Sequence, residues 1–468
     1  MDETSQPVEL LLSVARGGAG TLGSQIEDQL RRGIRDGSLR PGTRVPSTRD
    51  LARQLGISRR VAVDAYAQLA AEGYLTLRQG ARPRVSDAAT IAEPPTTGPA
   101  ERTPRVRFDF RPSMPDVSTF PRAAWLRSLR EALATITDEE LSYGDPRGVP
   151  ALRGALADYL GRVRGVVADP EQIVITNGYT QGLGLVCHAL AAAGASRIAF
   201  DDPSNPEDTM IAERAGLEAL AIGVDEHGTR VDELRRAGPD AVVLTPAHQH
   251  PTGVVLTGER RAALLSWLRD NDAFAIEDDY DAEYRYDRAA VGAIQGLDQD
   301  RVVYAGSASK TLAPALRLGW LVVPPTLVAA VGEEKILADR GTARIEQHAF
   351  ADFLSRGELD RHLRRMRVRY RERRDALVGA LARELPESAT RGVAAGLHVT
   401  VELPASDNEV AIRREALDRR VALETMSEYR PAARDGPPVL LLGYAQMPAS
   451  SIRAGVKQLA DAVRASRA

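Results

Sequence analysis

The chain is predicted to hold two architectures in series: a small three-helix module closed by a basic β-hairpin, then a larger α/β body with a mostly parallel sheet wrapped by helices. Three observations predict this. Apolar residues recur at helical spacing through three short segments between residues 22 and 73. Residues 86–107 (SDAATIAEPPTTGPAERTPRVR) are rich in Pro, Thr, Ala and charge, show no hydrophobic period, and read as a linker. Beyond them, short apolar runs alternate with helical stretches, the pattern of strands crossing over through helices.

Each element has a local cause. In LGSQIEDQLRRGIR (22–35), Leu22, Ile26, Leu30 and Ile34 fall at intervals of four, which predicts an amphipathic helix stopped by Gly37 and Pro41-Gly42. Pro46-Ser47 opens a second helix with Leu51, Ala52 and Leu55 inward, and Gly56 ends it. Ser58 caps a third helix running through Val61, Ala65, Tyr66 and Leu69 to Gly73. Residues 74–77 and Val85 then read as short strands around RQGARPR, which completes a winged helix-turn-helix over residues 1–85. In the body, 108–468, strands are expected at IVIT, RIAF, AVVL, FAIE, RVVYAG and GWLVV. A large subdomain of about 120–340 is expected, then a long Arg-rich helical stretch. A smaller α+β subdomain of about 370–468 follows, with strands at LHVTVEL and PVLLLGYA.

Composition narrows the function classes. The chain has 468 residues, 43% hydrophobic and 27% charged, with no apolar run of 18 or more, so no membrane partner is expected. The first residues, MDETSQPVEL, have neither the basic nor the apolar region of a secretion signal. One cysteine, Cys187, rules out an intrachain disulfide and a Cys-rich zinc site; its apolar helical run reads as core. A cytoplasmic protein is expected. The net charge of −3 hides an asymmetry: residues 16–85 carry 13 Arg against six acids. A small basic module on a larger acidic body points to nucleic acid for the first and something else for the second.

In a winged helix-turn-helix the third helix enters the major groove and its first residues reach base edges. Here those are Ser58, Arg59, Arg60 and Ala62. Arg49 is placed to reach phosphate, and the wing carries Arg78, Arg82 and Arg84. An Arg-rich bundle binding another protein is the alternative. Residues 21–85 resemble the GntR family of bacterial regulators, through Pro46-Ser47-Thr48-Arg49-Asp50-Leu51-Ala52, Leu55-Gly56, Ser58-Arg59, Ala65-Tyr66, Leu69 and Glu72-Gly73-Tyr74. The wing departs from the family pattern, with GARPRV where Gly-Ser-Gly and an aromatic are usual.

Only three residues of the chain are lysine, so each lysine asks for a reason. Lys310 follows a predicted strand in Ser307-Ala308-Ser309-Lys310, with Arg317 seven residues on. An amine among hydroxyls beside an arginine suits a Schiff base next to an anchored phosphate. Upstream lies Asp278-Asp279-Tyr280-Asp281. A carboxylate there can pair with a pyridinium nitrogen and a tyrosine can reach a phenolic oxygen; a divalent metal is the alternative for three adjacent acids. Thr176-Asn177-Gly178-Tyr179-Thr180 joins a strand to a helix whose first N–H groups can receive a phosphate.

Taken in order, LSYGDPRG at 141–148, the turn at 176–180, HPTG at 250–253, EDDYDAEY at 277–284, SASK at 307–310 and PALRLGW at 314–320 resemble the fold-type I aminotransferases that use pyridoxal 5′-phosphate. Joined to the first module, the whole chain resembles the MocR/GabR subfamily of GntR regulators. The resemblance implies an internal aldimine at Lys310, Asp278 at the pyridine nitrogen and Tyr280 at the phenolic oxygen. It implies Arg317, Ser307, Ser309, Gly178, Tyr179 and Thr180 around the phosphate, and Tyr143 reaching the phosphate of a partner subunit. It also implies a homodimer, domain-swapped and head-to-tail, on double-stranded operator DNA. The effector would be pyridoxal phosphate or its amino-acid adduct, and the genes those of vitamin B6 metabolism.

Three departures bear on function. Asn205 stands where an aromatic ring usually stacks on the cofactor. His250 replaces an Asn or an aromatic beside the cofactor, free to stack or to hydrogen-bond; the spacing His248-x-His250 also allows a metal. Leu441 lies roughly where transaminases place the Arg that grips a substrate α-carboxylate, with Arg430 nearby as a substitute. A regulator rather than an enzyme is therefore expected, with no metal. The run RHLRRMRVRYRERR (361–374) reads as a solvated helix joining the subdomains, with a second DNA track as the other reading.

Overall fold

The computed structural model describes residues 12–88, 106–286, 291–430 and 436–467, so most of the expected linker lies outside the described residues. The chain separates into two compact units, Met1–Arg102 and Thr103–Ala468.

The first unit has helices α1 (Leu22–Arg35), α2 (Thr48–Leu55) and α3 (Arg59–Ala71), then strands β1 (Leu75–Thr76) and β2 (Arg84–Val85), paired antiparallel. The caps are those the sequence suggests. Ser47 accepts from the Asp50 N–H and Ser58 from the Val61 N–H, while Gly56 closes α2 in the left-handed conformation. Ile26, Leu30, Ile34, Leu51, Ala62, Tyr66, Leu69, Leu75 and Val85 form its core, and the Tyr66 hydroxyl donates to the Pro46 carbonyl. Arg31 joins α1 to the end of α3 through Glu72 at 2.9 Å.

The second unit begins with β3 (Phe108–Asp109). Eight strands then build one sheet: β4 (Ile173–Thr176), β5 (Arg197–Asp202), β6 (Glu218–Asp225), β7 (Gly228–Thr229), β8 (Ala241–Leu244), β9 (Phe274–Asp278), β10 (Val302–Ser307) and β11 (Gly319–Val322). Their order is β4-β11-β10-β9-β8-β5-β6-β7, with β10, β9, β8, β5 and β6 parallel and β11 antiparallel to both its neighbours. The apolar runs are continuous because both faces are covered. Ile198, Phe200, Val243, Ile276 and Val303 pack on one side with the helix Tyr179–Ala192; Ala199, Val242, Leu244, Ala275 and Val302 pack on the other with the helix Gly258–Asp270 and Trp267. Cys187 is buried in the first of these layers.

The helix Glu358–Glu384 leads to the smaller sheet: β12 (Ala389–Arg391), β13 (His398–Glu402), β14 (Val421–Ala422), β15 (Glu424–Thr425) and β16 (Val439–Gly443). Its order is β12-β13-β16-β15, and β14 pairs instead with β3. The stretch 108–110 thus belongs to the smaller layer, with the Phe110 N–H on the Ala422 carbonyl at 2.8 Å and the Gly443 N–H on the Phe110 carbonyl at 2.6 Å. The expected span of about 370–468 leaves this strand out. Among the described residues no helix is long and apolar enough to cross a membrane.

Candidate functional site

In a parallel sheet, ligands gather at the carboxyl ends of the strands, where loops and helix starts meet. A cavity of about 380 Å³ opens there, lined by residues that include Thr180, Asp278, Tyr280, Ser307, Lys310 and Arg317. Strand β9 delivers Asp278 at its last residue, and β10 delivers Ser307. The one-turn helix Ala308–Thr311 then carries Ser309 and Lys310 into the same space.

The end of the cavity suited to a phosphate is built from backbone and one cation. Gly178 caps the helix Tyr179–Ala192 with no side-chain hydrogen bond, so the first N–H groups of that helix keep their donors. Gly178 has φ +92°, and a Cβ there would lie 2.9 Å from Nη2 and 3.2 Å from Nη1 of Arg317. The missing side chain is the space the guanidinium occupies. Arg317 donates to the Asn177 carbonyl at 2.5 Å and has no carboxylate partner among the described residues. Helix dipole, free N–H groups, two hydroxyls and an uncompensated guanidinium fit a phosphate group.

At the other end, Lys310 is largely buried, and burial lowers its amine from the ordinary lysine value while Asp278 and Asp281 pull the other way. Burial first, then Asp208 and Asp279, hold the Asp278 carboxyl well above the usual carboxylate range. The acids of the 278–281 run face three ways. Asp279 turns from the cavity to the buried Arg164 at 2.6 Å and the Tyr304 hydroxyl at 2.7 Å. Asp281 meets His248 Nδ1 at 3.0 Å, and only Asp278 lines the cavity. Among the described residues no group of three or more His, Cys, Asp or Glu is placed to hold a metal.

The departures in the sequence acquire concrete roles. Asn205 lines the cavity but caps the helix Pro206–Arg214, accepting from the Glu207 N–H and donating to Asp208 at 3.2 Å. Asp208 in turn accepts from the Tyr179 hydroxyl at 3.1 Å, and burial lifts its carboxyl to about 7. His250 lies in the cavity wall, its ring 5.1 Å from Tyr429 and 5.6 Å from Tyr280, and burial holds it well below its ordinary value, so it is neutral. Leu441 is fully buried in the middle of β16, opposite Thr400, and does not line the cavity. Arg430 faces Asp202 at 3.4 Å and does not line it either.

Tyr143 is not brought to this cavity: it is 84% exposed on the surface beside Arg344 and Gly341. Sequence reasoning missed Glu424, Tyr429, Met114 and Gln249, all of which line the cavity: Glu424 from β15, Tyr429 and Met114 from loops distant in the chain, and Gln249 from between the two histidines. Burial raises the Glu424 carboxyl, which accepts from the Tyr429 hydroxyl. Nothing in the local sequence marks Glu424, Tyr429 or Met114, whereas Gln249 lay inside the His248-x-His250 pair. His248 stood only as half of a His-x-His pair, and its real partner, Asp281, lay in view in the acidic run.

In the first unit, Arg49, Ser58, Arg59, Arg60, Arg78, Arg82 and Arg84 are all exposed. Ser58 spends its side-chain oxygen on the α3 cap, and Arg60 has only a loose pair with Asp64 at 3.8 Å. Ala62 was expected at base edges; it is fully buried and packs in the core, because it lies on the same helix face as Tyr66 and Leu69.

The aminotransferase class I and II family matches residues 115–457, and the gntR family of bacterial regulatory proteins matches residues 22–85. The chain is 33% identical over 384 residues to the HTH-type pyridoxine biosynthesis transcriptional regulator PdxR of Corynebacterium glutamicum, which covers 81% of this chain and 82% of that protein. It is 32% identical over 465 residues to the probable rhizopine catabolism regulatory protein MocR of Rhizobium meliloti, covering 94% and 93%. The crystal structure of Pyrococcus horikoshii kynurenine aminotransferase matches with a TM-score of 0.70 and 26% identity, over 78% of this chain and 92% of that one. Family and site together imply pyridoxal 5′-phosphate as the cofactor. The chain belongs to the GntR transcriptional regulators of the MocR kind, a winged-helix DNA-binding module followed by an aminotransferase class I and II domain.

Proposed function

We propose that this regulator reads the supply of pyridoxal phosphate: the cofactor itself is the effector, and the response is a change in operator binding by a homodimer. The observation that carries this is the make-up of the cavity wall. Arg317 is the one arginine among its described lining residues, and its place beside Gly178 commits it to the phosphate end. Leu441 is buried in β16 and Arg430 faces Asp202, so among the described residues the α-carboxylate of an amino acid finds no second guanidinium in the wall. The relative named as a pyridoxine biosynthesis regulator supports the same reading.

Pyridoxal phosphate, when bound, would supply an aldehyde carbon open to attack by an amine. The residues do the rest. Burial keeps a larger share of Lys310 in the neutral, nucleophilic form than an exposed lysine would have. Burial raises the Asp278 carboxyl above its ordinary range, which suits it to share a proton with a ring nitrogen that would lie against it. Arg317, Ser307, Ser309 and the N–H groups after Gly178 hold the phosphate. On DNA, Arg59 and Arg60 at the start of α3 reach base edges, while Arg49, Arg78, Arg82 and Arg84 hold phosphates. An effector shifts regulation only through its different affinity for two arrangements of the dimer.

A second reading, an aminotransferase with an appended DNA-binding module, is favoured by the complete set of Lys310, Asp278 and Tyr280. Operator binding measured with and without pyridoxal phosphate, beside an assay for keto-acid formation, separates the two. A cofactor-dependent change in affinity with no turnover is expected. Steady turnover with an amino donor, and no cofactor effect on DNA, would overturn the sensor reading.

A further inference from the structure

His248 has no role in the site as described so far, yet it is placed with unusual economy. Its Nδ1 lies 3.0 Å from the Tyr280 hydroxyl and 3.0 Å from Asp281 Oδ2. His248 is 3% exposed and Asp281 1%. Two loops leave room for them: a side chain at Gly396 in the small domain would collide with both, and a Cβ at Gly253, on the loop of His248 itself, would sit 3.3 Å from His248 Nε2. Two glycines in the left-handed conformation, at φ +70° and +74°, therefore enclose this one pair.

The chemistry follows from counting protons. Tyr280 has a single hydroxyl proton, and Asp281 is a carboxylate with which it can hydrogen-bond. If that proton goes to Asp281, the phenol offers the cavity only lone pairs. With a proton on Nδ1, His248 donates toward Asp281 and the phenol oxygen, and so takes the place at the carboxylate that the Tyr280 hydroxyl would otherwise fill.

We propose that His248, oriented by Asp281, positions the Tyr280 hydroxyl so that its proton points into the cavity, toward the phenolic oxygen of the bound cofactor. This makes His248 a positioning residue. The inference rests on the cofactor reading above. A donor at the phenolic oxygen stabilises its anionic form, so the proton shared with the Lys310 imine leaves at lower pH. The titratable groups facing the trio are Asp278 and Lys310 at the strand ends, His250 on its own loop, and His398 and Tyr444 from the small domain. Burial lowers His250 well below its ordinary value and His398 to about 4. Tyr444 is raised by burial.

The test is the pH midpoint of the visible imine band in full-length protein loaded with pyridoxal phosphate. His248→Phe is expected to raise the midpoint by about one to two pH units, the worth of one hydrogen bond to a charged oxygen. His248→Asn, whose amide stands where Nδ1 stands, is expected to return it close to wild type. In a Tyr280→Phe background, His248→Phe is expected to shift nothing further. Should His248→Phe not fold, His248→Gln carries the same test, because its amide is displaced by one carbon and the midpoint rises. An unmoved midpoint, or an equal shift in the Tyr280→Phe background, overturns the inference while leaving the cofactor reading intact. No visible band in the wild type overturns both.

Discussion

Gly178→Ala puts the phosphate cradle under direct strain. The residue sits at φ +92° and ψ 174°, a region essentially reserved for glycine, so any Cβ costs about 1–3 kcal/mol in backbone strain. The new methyl would also lie 2.9 Å from one terminal nitrogen of Arg317, 3.2 Å from the other and 3.3 Å from Cζ. Those distances are too short for a carbon contact, so the guanidinium must leave its place and its bond to the Asn177 carbonyl. Losing its hydrogen bond to a charged phosphate costs about 1.5–3 kcal/mol. That is roughly 10- to 150-fold in affinity. The assay is a pyridoxal phosphate titration followed by visible absorbance, with a thermal melt of cofactor-free protein alongside. The melt isolates the backbone strain; the titration isolates the displaced cation. Arg317→Ala alone should lose a similar affinity, and the double variant little more, since both changes act on one contact. Wild-type affinity in Gly178→Ala, or full additivity with Arg317→Ala, would refute the cradle.

Lys310→Ala should abolish both the visible band and borohydride labelling, with DNA binding retained; label on Lys335 or Lys457 in the wild type would reassign the site. Arg59→Ala should cost about 1–3 kcal/mol on the cognate operator where it pairs with a guanine, and Arg82→Ala should weaken all sequences and flatten the salt slope, both read from binding at several salt concentrations. Asp201 is buried against Thr229 and Gln249, and burial raises its carboxyl from 3.8 to about 7. Its folded value lies above the unfolded one, so the native state is favoured when it is protonated, and stability falls as pH rises from about 4 through about 7. Asp201→Asn should remove that part of the slope in denaturant melts across the range; an unchanged slope would exclude Asp201 as its source.

The sheet was legible where each strand is covered on both faces. IVIT, AVVL and FAIE are unbroken apolar runs because helices pack against both sides of the central strands. Strand β6 escaped notice because it lies near the sheet edge and most of EALAIGVD is half-exposed or exposed, so its pattern is mixed. β3 escaped because two residues carry no period; only pairing with β14, more than 300 residues on, makes Phe108 and Asp109 a strand.

Local sequence is enough to place the two modules, the caps of α2 and α3, and the half of the site that lies in contiguous motifs. Gly178, Asp278, Tyr280, Ser307, Lys310 and Arg317 each sit within a few residues of a strand end or helix start, where backbone geometry narrows which way they face. The tertiary structure alone decided the other half. It turned Asp279 to Arg164 and Asp281 to His248, drew Glu424 and Tyr429 into the wall, and sent Leu441 and Arg430 away from it. The physical reason is that a buried carboxylate goes where a partner repays its desolvation, and partners far along the chain are set by packing, which no local spacing encodes.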